Sequence, residues 1–318
     1  MASVYAATML AGPCALAQTY PSRPVRLIVP FAPGGGSDII ARVLAPHLSE
    51  LLAQQVLIDN RPGAGTIIGA ELAAKSPPDG YTLFLGITGT MAINPSMYRK
   101  LPYDPVRDFA SIGLVGTGPN VLVVHPSLPA RSIPQLIAIA KNYPGKLSYA
   151  SAGTGGAPHL AGELFKSMAG IDMVHIPYKG AAPATTDLLA GEVQVMFAGL
   201  GAALPFVKTS RLRALGVAGA KRTRALPEVP AIAEYLKGFE AATWFALFAP
   251  AGTPRPIITR LNADASKVMM LPPVEQQLAS QGYEPLTSTP DELSAYVKSE
   301  IAKWAAVIRD AKIPTETN

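Results

Sequence analysis

Two kinds of stretch alternate along the chain beyond Ser22. Short runs of β-branched and large apolar residues read as buried strands, and longer stretches with apolar positions three to four apart read as amphipathic helices. "VRLIVPF" (25–31) predicts a strand and "SDIIARVLAPHLSELL" (37–52) the helix after it, with Ser37 as cap and Asp38 as first-turn acid. "QVLIDN" (55–60) and "TIIGAELAAKS" (66–76) repeat the pair, and "YTLFLG" (81–86) and "ASIGLVG" (110–116) follow as strands. A second cycle opens at "VLVVHP" (121–126). It runs through a helix over 133–142, the strand "KLSYAS", a helix over 158–168, the strand "MVHIPY", a helix over 182–189 and the strand "VQVMFAG". "LRALGVAG" (212–219) reads as one more strand and a return crossing, "TWFALFAP" (243–250) as another strand, and the rest to Lys312 as mostly helix. Strands alternating with helices of this length predict an α/β protein, its parallel sheets covered by helices on both faces.

Composition narrows the class. A chain of 318 residues has room for two domains. Charged residues are 15% of it, against roughly 25% in an average soluble protein. Even so, every apolar run is broken by a charge, Pro or Gly before it could span a bilayer, so no membrane insertion is expected. The net charge of +5 is spread thinly; "AKRTR" (220–224) is the longest basic run and reads as a solvated loop, which argues against nucleic acid. Residues 1–17 read as an export signal ending in the A-x-A pattern Ala15–Leu16–Ala17 before Gln18. Cleavage there would remove Cys14, the single cysteine, and leave a chain without disulfides.

Three turns rich in glycine or small residues follow predicted strands: "APGGGSD" (32–38), "GITGTMAIN" (86–94) and "SAGTGGAPH" (151–159). In open α/β sheets ligands sit beyond the carboxyl ends of the strands, so the three turns could converge on one pocket. Glycine lets backbone N–H groups approach an anion at a helix N-terminus. Each of Gly34, Gly35 and Gly36 is expected to need its missing Cβ, so Gly35→Val should lose ligand while keeping the fold. Ser37 can cap its own helix or donate its hydroxyl to a bound carboxylate. His159 borders the third turn and is open to a ligand role or a structural one, whereas His47 and His175, inside a helix and a strand, read as structural.

Catalytic signatures are missing from the sequence. "GAGTIIG" (63–69) has glycines at G-x-G-x-x-x-G rather than the dinucleotide spacing, and the next strand ends without the acid that binds a ribose. There is no Walker motif, G-x-S-x-G or H-E-x-x-H, and the histidines have no metal-ligand spacing. No metal, cofactor or catalytic residue is expected.

The chain resembles the extracytoplasmic solute receptors of tripartite tricarboxylate transporters, the Bug-type family. The resemblance is carried by "RPVRLIVPFAPGGGSDIIAR", "NRPGAGTIIGAE", "PDGYTLFLG", "INPSMYRKLPYDPVRDF", "VLVVHPSLP", "YASAGTGGAPHLAGELF", "HIPYKGAAPATTDLLAGEVQVMF" and "WFALFAPAGTP", in order over almost all of the chain beyond the leader. It implies a two-lobed periplasmic-binding-protein (flytrap) fold, each lobe a mostly parallel sheet flanked by helices. Lobe I would comprise 20–118 and 220–318, and lobe II 119–219. It also implies a secreted periplasmic monomer, no catalysis, a small di-, tri- or aromatic carboxylate as ligand, and a membrane carrier as partner. A sensor feeding a signalling partner, or a degenerate carboxylate-acting enzyme on the same fold, are the alternatives. In the family the anion is held by main-chain amides and hydroxyls of cleft loops. The resemblance puts that role on Ala32, Pro33, Gly34, Gly35, Gly36 and Ser37, on Thr88, Gly89 and Thr90, and on Ser151, Ala152, Gly153 and Thr154. Tyr178 and Lys179 of "PYKG" join them, Lys179 being either a ligand contact or a solvated loop residue. Family members often carry Asp after "VMF"; here Ala198 stands there, which leans away from amino acids and toward dicarboxylates or aromatic carboxylates.

Overall fold

A computed structural model of the protein describes residues 20–178 and 180–315. The expected export signal, Cys14 and Lys179 lie outside the described residues.

The apolar runs are realised in two sheets. The first is built from β1 (Val25–Val29), β2 (Val56–Asn60), β3 (Thr82–Ile87), β4 (Phe109–Gly118) and β10 (Thr243–Pro250), in the order β2-β1-β3-β10-β4. The second contains β5 (Asn120–Val124), β6 (Ser148–Ser151), β7 (Val174–Pro177), β8 (Val195–Gly199) and β9 (Arg213–Val217), in the order β7-β6-β8-β5-β9. Each sheet is parallel but for one strand. β10 runs antiparallel between β3 and β4, and β5 antiparallel between β8 and β9. Those two are the strands by which the chain enters each sheet from the other.

Alternate side chains divide between two cores. Leu27, Leu83, Leu85, Leu247 and Val29 pack under α1 (Gly36–Leu52), together with Leu261 and Val268 from a helix late in the chain. Ile28, Phe84, Trp244 and Phe248, one residue out of phase, face the opposite side with Ile67 and Ala70 of α2 (Ile67–Ala74). Burying both faces in this way requires the near-continuous apolar strands seen in the sequence. After β3 come a π-helical turn, Gly89–Ile93, and the short α3 (Asn94–Met97). The second sheet is flanked by α4 (Ile133–Asn142), α5 (Ala157–Ala169), α6 (Ala181–Ala190) and α7 (Leu200–Lys208). The chain ends with α8 (Arg255–Met269), α9 (Pro272–Ser280) and α10 (Pro290–Asp310), and α10 packs against both β4 and α5. No helix among the described residues is long and apolar enough to cross a membrane.

Most predicted elements fall where their patterns put them, with α4 and β10 matching residue for residue. Three expectations are corrected. "GITGTMAIN" is not an open turn but a strand end running directly into helix. α7 follows β8 where no helix was expected, because "LGAALPFVK" has too little polar contrast to read as amphipathic. The segment "LRALGVAG" yields β9, which stays in the second sheet; the chain returns to the first through 218–242.

The two sheets are joined at Pro119, between β4 and β5, and just before Thr243. The two connections are tied to each other: Ala218 N–H donates to Asn120 O at 2.7 Å, Ala241 N–H to Ala218 O at 2.8 Å, and Asn120 Nδ2 to Ala241 O at 2.9 Å.

Candidate ligand-binding cleft

Two adjoining cavities lie between the sheets, of about 240 and 350 Å³, and Phe31, Ile87 and Thr243 wall both. The smaller is closed by Gly36 and Ser37 at the start of α1, by the crossing Gly118–Pro119–Asn120, by Gly199–Ala202 at the start of α7, and by Phe245, Gly282 and Tyr283. The larger is closed by Gly65, Thr66, Gly89, Asn94, Met97 and Tyr98 on one side and by Thr154–Pro158 at the start of α5 on the other. An open groove of about 900 Å³ along α1 and the edge strand β2 is bigger, but it lies on the far side of α1 from all three glycine turns. Convergence of helix ends, rather than size, marks the cleft as the candidate site.

α1, α5 and α7 point their N-termini at these cavities, and each is capped by a glycine (Gly35, Gly156, Gly199) with no side-chain cap. At α7 the Leu200 N–H is taken by Pro119 O at 3.0 Å, and at α5 Pro158 has no N–H. The other first-turn N–H groups have no partner within their helices, and the helix dipoles favour an anion there. Among the described residues no Asp, Glu, Lys, Arg or His lines either cavity.

The three consecutive glycines serve different ends. Gly34 has φ +88°, a left-handed conformation costly to any residue with a Cβ, and donates its N–H to Asp38 Oδ2 at 2.9 Å. Gly36 has no room for a Cβ because the Tyr283 hydroxyl fills that space. Gly35 has an ordinary φ of −82° and meets only the Ala32 carbonyl at 3.7 Å. Glycine is thus required by φ at Gly34 and by Tyr283 at Gly36, while at Gly35 neither φ nor a protein neighbour requires it, which corrects the backbone part of the expectation.

Asp38 is buried and turned away from the cleft. Burial alone would raise its pKa, but hydrogen bonds from Arg42 Nε (2.7 Å), Gly34 N–H and Asn60 Nδ2 (3.1 Å) outweigh it and hold the carboxyl below the usual range. A fixed carboxylate satisfied on three sides leaves the end of α1 free to take a second anion. Ser37 does not cap α1, since Gly35 is the cap residue and Ser37 the second residue of the helix. It is 4% exposed, and its hydroxyl has no partner among the described residues. It lines the smaller cavity. The Tyr283 hydroxyl, beside Gly36, is likewise without a partner among them, and burial raises its pKa.

The remaining sequence candidates divide. Gly89 and Thr154 line the larger cavity. Ala32, Pro33, Gly34 and Gly35 form an exposed rim outside both. Thr88 and Thr90 are fully buried beneath the cleft: Thr88 Oγ1 accepts the Trp244 N–H at 2.9 Å, and Thr90 Oγ1 donates to Thr66 Oγ1 at 2.7 Å. Ala152 and Gly153 begin the loop that leads into α5 but line neither cavity, and Ser151 and His159 are buried behind it. Tyr178 donates its hydroxyl to Asp187 at 2.7 Å, and Ala198 is buried within β8, one residue before the cavity-lining Gly199. Phe31, Asn120, Thr243 and Tyr283 were not singled out from the sequence. Phe31 and Thr243 lie at the ends of strand runs and none of the four lies in a glycine turn; Tyr283 follows a helix rather than a strand, so the rule that finds the turns passes over it.

A model of the family described as tripartite tricarboxylate transporter family receptor matches residues 40–313. The chain belongs to that family. It is 40% identical over 296 residues to BugT of Bordetella pertussis, covering 92% of this chain and 91% of that one. Among solved structures it is similar to R. palustris Rpa4515 with adipate, at 39% identity and a TM-score of 0.80, covering 93% of this chain and 99% of that one. It is also similar to MatC from Rhodopseudomonas palustris with bound malate, at 31% identity and a TM-score of 0.75, covering 91% and 100%. The two-lobed periplasmic-binding-protein fold that the sequence resemblance implied is the fold of this receptor.

Proposed function

We propose that this receptor works outside the cytoplasm, capturing a small dicarboxylate or aromatic carboxylate in the cleft and handing it to the membrane carrier of a tripartite tricarboxylate-type transporter. The observation that carries the reading is Ser37: a residue 4% exposed whose hydroxyl opens on the cavity and has no partner among the described residues, next to the uncapped amides of α1 and walled on its other side by the start of α7. One carboxylate group sits there, accepting from Ser37 Oγ and first-turn amides. The rest of the ligand passes Phe31, Ile87 and Thr243 into the larger compartment, where the amides at the start of α5 take a second carboxylate or an aromatic body packs on Met97 and Tyr98. The adipate- and malate-bound neighbours support the ligand class. Residues 20–118 with 220–318, and 119–219, act as the two lobes, hinged at the tied crossings. The reading is of a receptor rather than an enzyme because the family is one of transporter receptors, and among the described residues no Asp, Glu, Lys, Arg or His lines either cavity.

Thermal-shift and calorimetric titration with adipate, malate and benzoate test this. A ligand at 100 times its Kd raises stability by about 2.7 kcal/mol, and small-angle scattering should show a smaller radius of gyration at saturation. No binding by any of the three at millimolar concentration, or turnover of a bound one, would overturn the proposal.

A further inference from the structure

Behind the loop that opens α5 lies a stack of polar rings that the ligand-binding reading does not use. His159 of α5 and His175 of β7 are parallel, with ring centroids 3.8 Å apart and planes at 18°. Tyr149 of β6 continues the stack on His175 at 4.9 Å. Each imidazole grips the loop at a different point. His159 Nδ1 accepts the Gly155 N–H at 3.0 Å, and His175 Nε2 lies 2.7 Å from Ser151 Oγ. Ser151 Oγ in turn holds both ends of Gly153, donating to its carbonyl at 2.9 Å and accepting from its N–H at 3.3 Å.

The protons of this cluster are assigned by the bonds. His159 Nδ1 accepts an N–H, so it carries no proton of its own. His175 donates from Nε2, since the Ser151 hydroxyl proton is already given to Gly153 O. Both rings are neutral: burial, above all, pushes His159 down to about 3 and His175 down to about 4. The other titratable groups facing them are Tyr149 on β6 and Glu163 and Lys166 on α5. They form a closed set, Tyr149 Oη donating to Glu163 Oε1 at 2.5 Å and Lys166 Nζ to the same oxygen at 2.9 Å.

We infer that the His159–His175 pair is a positioning device for the α5 end of the cleft. Gly153 and Gly155 sit at φ +146° and +76°; backbone bonds from Tyr178 and Gly180 hold the loop at Ser151 and Ala152, and the imidazole of His159 holds it at Gly155. By taking the Gly155 N–H to the rear, His159 turns the following amides, Gly156 and Ala157, toward the larger cavity that Gly155, Gly156 and Ala157 line. The pair touches no ligand; it sets the geometry of the groups that do. The inference rests on the proposed use of this loop in binding a carboxylate.

Two variants at one position separate placement of the loop from bulk stability. His159→Phe keeps the stack and loses the acceptor, while His159→Asn can present a carbonyl oxygen close to where Nδ1 stood. The probe is whichever of adipate, malate and benzoate the parent binds most tightly. The inference expects Kd about tenfold weaker in H159F, corresponding to one lost hydrogen bond, and within threefold of the parent in H159N, with cooperative unfolding in both. H159F binding like the parent, or H159N as weak as H159F though equally well folded, would overturn it. If H159F does not fold, Ser151→Ala replaces it: the same tenfold loss supports the inference, and parental affinity refutes it. If the parent binds none of the probes, the carboxylate reading fails first and this one with it; if the parent binds and the variants match it, only the positioning role fails.

Discussion

Ser37→Ala separates two roles that one side chain could play at the start of α1. A serine that caps a helix contributes ~1 kcal/mol to stability and nothing to affinity. A serine that donates to a bound carboxylate contributes roughly 1.5–3 kcal/mol to binding, and its loss raises Kd between about tenfold and about a hundredfold. The structure decides which to expect. Gly35 is the cap residue, Ser37 is the second residue of the helix, and its hydroxyl has no partner among the described residues although the residue is 4% exposed. Removing the oxygen takes away no protein hydrogen bond and vacates less than a methyl's volume, so the ligand-free protein should melt as the parent does. Calorimetric titration beside denaturant melts of the ligand-free protein reads both quantities. An unfolding free energy lowered by about 1 kcal/mol with unchanged Kd would refute the reasoning and return Ser37 to a cap.

Three further outcomes follow from geometry. Gly35→Ala should leave stability level or raise it by about 0.4–1 kcal/mol, because its φ suits any residue, whereas Gly34→Ala, at φ +88°, should cost about 1–2 kcal/mol; parallel urea melts would show the reasoning wrong if the two ranked in the opposite order. Gly201→Val should weaken ligand binding by more than about tenfold and abolish the ligand-induced fall in radius of gyration, because its Cβ meets the backbone carbonyl of Gln281; normal closure on scattering would count against it. Stability should fall with acid between pH 7 and pH 5. His159 and His175 have folded pKa values of about 3 and about 4, below the ordinary 6.5, so over this window the unfolded chain takes up protons that the folded one refuses. His159 should cost about 2 kcal/mol over those two pH units, and the half-buried His175 less after solvent screening; equal denaturation midpoints at the two pH values would refute it.

What was legible in the sequence is what repeats locally. β1, β3 and β10 announce themselves because both their faces are buried, and α4 because Ser132, followed by an amphipathic run, is a true side-chain cap. The glycine turns were found because they follow strands. Their roles were not, since the reasons lie far away in the chain: Gly36 is fixed by Tyr283, and Gly155 by Met97 of α3. Thr88 and Thr90 looked like ligand donors by type and place, yet both are consumed by long-range bonds to Trp244 and Thr66. Composition and spacing count hydroxyls. They do not say whose partner each hydroxyl already is.

The same distant pairing explains where the cleft's glycines were needed. A Cβ on Gly282 would lie 2.9 Å from Gly201 Cα and 2.7 Å from Gly201 N, and a Cβ on Gly201 would meet the Gln281 carbonyl. The turn after α9 and the start of α7 therefore approach backbone to backbone across the smaller cavity. Glu284, two residues on, strengthens that side: its backbone pairs with Thr117 of β4, while its side chain accepts the Thr223 hydroxyl at 2.6 Å from the returning segment. Contact this close narrows the cavity that holds Ser37, and where closure displaces water a hydrogen bond to an anion is worth most. With no charged side chain lining either cavity among the described residues, the affinity of this site depends on displacing that water. An anion held by amides and one hydroxyl competes poorly with bulk water until the lobes shut over it, so closure and binding are expected to be one event.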